Sequence, residues 1–269
     1  MRHDPPPPLP GTTSPLERPR FLPAGTGALV VEFGAQVDES TSEAVLALDR
    51  AVAGAAIDGV IELVPTYRSL LVHFDPAVIR AAALRQKLEA LVAHSGATPR
   101  EDRLWTIPVC YGGACGEDLE AVAKLHKLDP EEVVAIHAAS PFRVYMIGFA
   151  PGFAYLGGLD PRLHTSRRVE PRLRTPARSV SIGGAQSALN PPFELPSGWH
   201  LLGQTPVHLW DARREGSAEI GPSLLLPGDR VRLRPVEPEE YRDLCARAEA
   251  GDPVARLQTQ PKATEETPA

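Results

Sequence analysis

Between Arg143 and Leu233 the sequence alternates short apolar runs with glycine and proline. Runs of this length, separated by turn residues, are typical of strands that follow one another closely. The predicted strands are Arg143 to Ile147, Ser179 to Ile182, His200 to Leu202, Val207 to Trp210, Ser223 to Leu226, and Arg230 to Leu233. Many short strands bury their apolar faces by forming a barrel or a sandwich. We expect the function to lie in this glycine-punctuated module, from about Arg103 to Pro235.

The segment before this module has the order β-α-β-β-α. The predicted strands are Ala28 to Phe33, Val60 to Val64 and Ser69 to Phe74, and helices follow Ser40 and Asp75-Pro76. Ser40 and Glu43 have the spacing of a capping box, and Pro76 suits the first position of a helix. This arrangement resembles a ferredoxin-like sandwich. The predicted fold class is therefore α+β, with a small N-terminal domain followed by a β-barrel domain.

Proline-rich and polar stretches set the domain boundaries. Residues 1–20 are rich in proline and are expected to form a disordered arm. An N-terminal α+β domain is predicted at 21–98, and the barrel domain at 103–250. Two helices, from Glu117 to His126 and from Asp129 to about Ala139, follow the first barrel strand, and a helix from Glu239 to about Ala250 closes the domain. Residues 251–269 are polar and lack periodicity, which indicates a disordered tail.

Charge and cysteine content argue against several classes of protein. A net charge of -6 is unusual for a nucleic-acid binder, which presents a basic face. Three cysteines are too few for a disulfide framework and favour a reducing compartment. The N-terminus has no signal-peptide pattern, and no apolar stretch approaches the roughly 20 residues of a membrane span. We therefore expect a soluble, cytoplasmic protein that binds neither nucleic acid nor membrane.

The densest glycine segment runs from Gly148 to Gly158 and is interleaved with the aromatic residues Phe149, Phe153 and Tyr155. Glycines at this density allow close backbone approach or left-handed turns. The segment predicts either a pocket lined by these rings or a tight loop with aromatic packing, and spacing alone does not separate the two. It is not a phosphate loop, because the chain contains no G-x-x-x-x-G-K-[ST] pattern.

An arginine run follows, opposed only by Glu170. Its members are Arg162, Arg167, Arg168, Arg172, Arg174 and Arg178. Guanidinium groups bind carboxylate or phosphate in two parallel hydrogen bonds, so a local anion site is one interpretation. The alternative is a solvated loop in which the arginines face water.

The strand from Ser179 ends in Gly183-Gly184 and is followed by Gln186. Backbone N–H groups at such a strand end, with the Ser179 hydroxyl and the Gln186 amide, could bind an oxyanion or an amide. Ser179 is a poor candidate nucleophile, because no G-x-S-x-G elbow surrounds it. Ordinary strand-end hydrogen bonding is the alternative.

The histidines and cysteines give no metal-binding pattern. His200 and His208 are eight residues apart, and Cys110 and Cys115 have no second cysteine pair, so no metal ligand set is predicted. His137 is the one histidine retained as a possible proton carrier, although a buried, hydrogen-bonded core position is the expected role.

Taken in order, these motifs resemble those of one protein family. They are Val109 to Gly113, Gly148 to Gly158, Pro161 to Leu163, Arg167-Arg168, Pro171-Arg172, Ser179 to Gln186, Gly198-Trp199, and Leu226 to Asp229. The family is that of the B subunit of the bacterial ATP-dependent 5-oxoprolinase, also called allophanate hydrolase subunit 1. It includes an inhibitor of a sporulation histidine kinase, and a related carboxyltransferase domain occurs in urea carboxylase.

The resemblance implies a cyclophilin-like barrel that works with two partners, a hydrolase A subunit together with a C subunit. The assembled enzyme uses ATP, shared with a partner subunit, to open the lactam of 5-oxoproline to glutamate. Because negative charge develops on the carbonyl oxygen, the implied catalytic residues are Arg168, Arg172, Ser179 and Gln186. The implied substrate-binding residues are Phe149, Gly152, Phe153, Tyr155, Gly183, Gly184 and Trp199.

Four positions depart from the family pattern. Arg178 and Ala188 stand where glycine is usual, Asn190 replaces a tyrosine, and Gln204 replaces an arginine. Two other functions therefore stay open. One is a binding protein that inhibits a sensor histidine kinase. The other, ranked last, is a carboxyltransferase component, which would need a biotin carrier that this sequence does not contain.

Overall fold

The computed structural model describes residues 18–94, 102–215 and 221–260. The chain divides near residue 98 into two compact units. The strands are β1 Arg20–Pro23, β2 Ala28–Glu32, β3 Val60–Pro65, β4 Ser69–Phe74, β5 Asp102–Tyr111, β6 Phe142–Ile147, β7 Ala154–Gly157, β8 Arg172–Thr175, β9 Ser179–Gly183, β10 Gln186–Leu189, β11 Leu195–Ser197, β12 His200–Gln204, β13 Arg230–Pro235 and β14 Arg256–Gln260. The helices are α1 Glu39–Ala55, α2 Ala81–His94, α3 Leu119–His126, α4 Pro130–Ala139 and α5 Pro238–Glu249.

The N-terminal unit is a four-stranded antiparallel sheet in the order β1-β2-β4-β3, with α1 and α2 packed on it. Alternate residues of β4, Leu70, Val72 and Phe74, are buried in its core, as the period of a half-buried strand requires. The predicted β-α-β-β-α order is present. The ferredoxin-like description is not confirmed, because the fourth strand, β1, precedes the β-α-β-β-α run, whereas in a ferredoxin-like fold the last strand follows the second helix.

Local contacts revise two predicted helix starts and one boundary. The Asp38 carboxylate accepts the Thr41 N–H at 2.8 Å and the Ser40 hydroxyl at 2.7 Å, so Asp38, rather than Ser40, caps α1. Asp75 caps a turn that precedes α2, accepting the Ala77 N–H at 2.8 Å. The predicted arm at residues 1–20 overlaps β1, and the rest of that arm lies outside the described residues.

The second unit is built on a closed barrel of seven strands in the order β12-β9-β10-β7-β6-β13-β5, which the pairing of β12 with β5 closes. Strand β5 is ten residues long, so its end can pair with β12 while its beginning pairs with β14. The barrel expectation is therefore confirmed, and the cyclophilin-like description stays a prediction. None of the helices in the described ranges is long and apolar enough to cross a membrane.

Several elements differ from the predicted ones. Residues 207–210 and 223–226 form no strand beyond a single Trp210–Ser223 bridge, and their residues Val207, Leu209, Leu224 and Leu225 are buried in the barrel core instead. Strand β14 lies within the predicted tail, residues 251–269. Its sequence has only one apolar residue, Leu257, and it becomes a strand because β5 offers it a partner. Residues 261–269 of that tail are outside the described part of the chain.

Candidate functional site

Strands β7, β9 and β10 lie side by side and present two different faces. Alternate residues point into the barrel core, namely Val180, Ile182, Leu189, Ala154 and Leu156. The intervening residues point away from it, since successive side chains of a strand alternate. In register, Ser181, Ala188 and Tyr155 form one row across this side, and Gly183 lies opposite Gln186. We call this side the outer sheet face.

Four rings cross the outer sheet face, and we call them the aromatic row: Phe149, Phe153, Tyr155 and Trp199. Their successive centroid distances are 5.5, 4.7 and 6.1 Å, within the range of favourable ring pairs. A Cβ atom on Gly183 would lie 2.8 Å from the Trp199 ring, so the glycine permits this packing. The structure thus brings together most of the predicted substrate-binding residues. Phe149, at one end, is 63% exposed.

The predicted glycines have distinct places around the row. Gly152 has a φ of +75°, and a Cβ atom there would lie 2.6 Å from Trp210, which explains the residue type. The exposed Gly184 exchanges backbone hydrogen bonds of 2.6 and 3.0 Å with Thr165. Its N–H group is therefore already used and does not belong to an oxyanion site.

Arg168 and Arg172 both bind the carboxylate of Asp118. Their guanidinium nitrogens lie 3.0 and 2.8 Å from Oδ1, and Oδ2 accepts the Leu201 N–H at 2.7 Å. Burial alone would raise the pKa of Asp118, but the hydrogen bonds from Arg172 and Leu201 and the two arginine charges hold it below its ordinary value. Arg172 also contacts Glu117 at 2.8 Å. The two cations therefore face two anions, and this cluster is not a free anion site.

Within the described residues, three other arginines of the run are also paired with carboxylates. Arg162, Arg174 and Arg178 pair with Asp160, Glu194 and Glu249, respectively. Arg167 differs, because its guanidinium carbon lies 5.7 Å from the centroid of the Trp199 ring and the described part of the chain supplies it no carboxylate. The sequence predicted the run but did not single out Arg167.

Ser179 and Gln186 lie at opposite ends of the β9–β10 pair. Gln186 is opposite Gly183, and Ser179 is four residues from Gly183, about 13 Å along the strand. The Ser179 side chain is buried and donates to the Pro176 carbonyl at 2.7 Å. The fold therefore does not bring together the two donors that the sequence proposed as one set.

His137 lies inside the barrel unit, fully buried, in a hydrogen-bonded chain. Nδ1 is 2.9 Å from the Tyr111 hydroxyl and Nε2 is 3.0 Å from the Ser187 hydroxyl, which donates to the Ser181 carbonyl. Ser187 must then accept from His137, which places the proton on Nε2. Burial lowers the pKa of His137 to about 3. These contacts are those of a core histidine.

This burial predicts a pH dependence of stability. The unfolded histidine titrates near 6.5 and the folded one near 3, so the contribution is complete above pH 6.5 and is lost as the pH falls below it. The loss is at most about 1.4 kcal/mol per pH unit. Urea unfolding from pH 7.5 to 4.5 can be followed by tryptophan fluorescence, because Trp105, Trp199 and Trp210 all lie in the barrel unit. The dependence of the free energy of unfolding on pH is expected to be weaker in His137→Gln than in the wild type. An equal pH dependence in both proteins would contradict the prediction.

The cysteines form a small cluster of free thiols. Cys110 and Cys115 pack with Leu244 beside Tyr241, and burial raises the pKa of Cys115 to about 12. Such a thiol is protonated and unreactive near neutral pH. No group of three metal-ligating side chains occurs among residues 18–94, 102–215 and 221–260.

A cavity of about 580 Å³ lies elsewhere in the barrel unit. Its walls include Trp105, His208, Arg214, Leu224 and Leu257. None of the predicted site residues lines it, so the cavity and the outer sheet face are separate features of this unit.

Comparison with known proteins gives consistent matches. Residues 19–219 match the family described as carboxyltransferase domain, subdomain C and D. The 5-oxoprolinase B subunit of Bacillus subtilis is 36% identical over 228 residues, which are 81% of this chain and 92% of that protein. The 5-oxoprolinase B subunit of Haemophilus influenzae is 42% identical over 167 residues, which are 62% of this chain and 72% of that protein.

Two solved structures are similar to this chain. TTHA0988 has a TM-score of 0.69 and 36% identity, over 78% of this chain and 40% of TTHA0988. The urea amidolyase of Kluyveromyces lactis has a TM-score of 0.78 over 94% of this chain and 17% of its own, and at 22% identity it shows a shared fold alone. The chain thus spans less than half of either solved chain. The sequence matches show that it belongs to the carboxyltransferase-domain family that includes the B subunits of 5-oxoprolinase.

Proposed function

We propose that this protein is the B subunit of an ATP-dependent 5-oxoprolinase, which opens the lactam of 5-oxoproline, or of a related small amide, to give glutamate or the corresponding acid. The observation that carries the proposal is the similarity to B subunits of 5-oxoprolinase over most of their length. The protein is active only in complex with C-like and A-like partners. The three free cysteines fit a reducing, cytoplasmic location.

The aromatic row has one cationic end that suits this substrate. Arg167 is exposed beside Trp199, and the half-buried Gln186 lies opposite Gly183, against which Trp199 packs. An arginine without a carboxylate partner binds an incoming carboxylate in two hydrogen bonds. 5-Oxoproline carries a carboxylate next to its lactam, so we assign this end of the row to the carboxylate.

Arg168 and Arg172 act on this site as positioning residues. The backbone N–H of Arg168 donates to the Gly198 carbonyl at 2.7 Å, and the guanidinium group of Arg172 donates to the Trp199 carbonyl at 3.5 Å. Both side chains are fixed by Asp118. The cluster therefore holds Trp199 against the sheet. The direct catalytic roles predicted for Arg168, Arg172, Ser179 and Gln186 stay predictions.

ATP enters as a reactant shared with a partner subunit. The chain has no G-x-x-x-x-G-K-[ST] loop, which favours a nucleotide site to which a partner contributes. ATP hydrolysis provides the free energy for opening an unreactive amide. What this chain contributes is the surface that holds the substrate, namely the aromatic row and its cationic end.

The proposal is tested by reconstituting the protein with its C-like and A-like partners and measuring ATP hydrolysis and glutamate release with and without 5-oxoproline. We expect ATP hydrolysis to depend on 5-oxoproline. Arg167→Ala should raise the KM for 5-oxoproline at least about tenfold, as loss of a charge-assisted pair does. Arg174→Ala, an exposed member of the same run, is the matched control and should leave the KM unchanged. A stable complex without stimulation would refute the substrate assignment.

A second candidate is a binding protein that inhibits a sensor histidine kinase. The observation that favours it is the exposure of Val169 and Leu173, at 94% and 90%, beside the same arginines. Large apolar side chains exposed together suit a protein contact. Inhibition of kinase autophosphorylation by the protein alone, abolished in a Val169→Asp, Leu173→Asp double variant, would favour this function over the enzyme.

A further inference from the structure

Asn190 carries a buried carboxamide for which the described residues supply no hydrogen-bond partner. The residue is 1% exposed, and both Oδ1 and Nδ2 are shielded from solvent and unpaired. Its backbone N–H, in contrast, donates to the Ser179 carbonyl at 2.9 Å. Buried polar side chains are nearly always paired, and a group that is not paired calls for an explanation such as a missing ligand.

The carboxamide belongs to the outer sheet face. Leu189, the residue before it, points into the barrel core and lies opposite Ala154, so Asn190 points the other way, on the side of Phe153. A second buried side chain lies near this end of the strands. The Thr175 hydroxyl likewise has no partner in the described part of the chain, and the carbonyl of the next residue, Pro176, accepts from the Ser179 hydroxyl. Asn190 and Thr175 therefore both lie close to Ser179, the first through its own N–H and the second beside Pro176.

The donor and the acceptor of the Asn190 carboxamide determine which kind of ligand can pair with both of them. Oδ1 accepts and Nδ2 donates in the same plane and in the same direction. A ligand that satisfies both must present an N–H and a C=O group side by side, as a cis amide does. Lactams and ureas have this arrangement. The trans amide of an ordinary peptide points the two groups in opposite directions, and a carboxylate offers acceptors alone.

We propose that Asn190 binds the amide edge of a small lactam or urea through a cyclic pair of hydrogen bonds. Nδ2 donates to the ligand carbonyl, and Oδ1 accepts the ligand N–H. Phe153 covers the apolar ring atoms. Asn190 is four extended residues, about 13 Å, from Gln186, so this amide site is separate from the cationic end of the aromatic row, and the recognition of a cis amide by Asn190 does not rest on the proposed function.

The chain offers a clean probe of this contact, because Asn190 is its only asparagine. Protein labelled with ¹⁵N-asparagine therefore gives one side-chain amide signal in an NMR spectrum. In the reconstituted complex, 2-pyrrolidinone should shift this signal. N-methyl-2-pyrrolidinone, which has the same ring without the N–H, should not shift it.

The variant Asn190→Leu provides a second test. The direction in which its melting temperature changes distinguishes a ligand-binding role of Asn190 from a structural one. Without ligand, the variant should melt about 2–4 °C higher, because it removes a buried unpaired amide. Its affinity for 2-pyrrolidinone should fall at least tenfold. A lower melting temperature would show that the amide is satisfied within the fold and would overturn the proposal.

The NMR titration and the ATP hydrolysis assay also decide between the alternatives. No shift with 2-pyrrolidinone, or an equal shift with its N-methyl derivative, also overturns the proposal. If the wild-type complex shows no ATP hydrolysis that depends on 5-oxoproline, the proposed function fails, and the response to 2-pyrrolidinone still decides the role of Asn190.

Discussion

Asp118→Ala should destabilise the barrel unit by about 3 kcal/mol, the range found when one partner of a buried ion pair is removed. The substitution leaves the guanidinium groups of Arg168 and Arg172, whose side chains are 32% and 17% exposed, without their shared anion. It also removes the acceptor of the Leu201 N–H. Urea denaturation followed by tryptophan fluorescence measures the loss, and the reconstituted complex should lose activity as Trp199 is released.

Glu240→Ala is the matched control for that experiment. Glu240 and Arg234 also form a 2.8 Å pair in the same unit, but both side chains are more than 40% exposed. Solvent-exposed pairs contribute roughly 0–1 kcal/mol, so this variant should be close to wild type. Equal losses in the two variants would mean that burial of Asp118 has no special effect, contrary to the prediction.

The second large effect is expected for Gly203→Ala at the closure of the barrel. Gly203 pairs with Tyr111 on β5 and with Val180 on β9. A Cβ atom would lie 2.5 Å from the Cys110 carbonyl oxygen and 2.9 Å from Val109. Because the nearest atom belongs to the backbone, strands β12 and β5 would have to separate. We expect a loss of about 3 kcal/mol in the free energy of unfolding.

Gly221→Ala serves as the control for Gly203→Ala. It lies in the same unit, and a Cβ atom there would meet no atom of the described residues within 4 Å, so little change in stability is expected. Hydrogen exchange of the β5 and β12 amides should rise in Gly203→Ala alone. A stability within about 1 kcal/mol of wild type would show that the closing strands tolerate the added methyl group.

Part of the candidate site could be predicted because its signals are local. Glycines interleaved with Phe149, Phe153 and Tyr155 predicted either a pocket lined by these rings or a tight loop with aromatic packing, and in the structure the rings pack on one another. The role of Asp118 could not be predicted, because it lies 50 residues from Arg168 along the chain. Its position just before α3 gives no signal that distinguishes it from an ordinary acidic residue at a helix start.

The sequence by itself determined the strand-rich character of the second unit, the β-α-β-β-α order of the first and the family of the chain. These properties depend on local periodicity, turn residues and ordered motifs. Only the tertiary structure decided that β1 and β14 are strands, that Ser179 and Gln186 lie at opposite ends of a strand pair, and that the Asn190 carboxamide has no partner within residues 18–94, 102–215 and 221–260. Strand pairing and register join residues far apart in the chain, so single stretches of sequence cannot specify them.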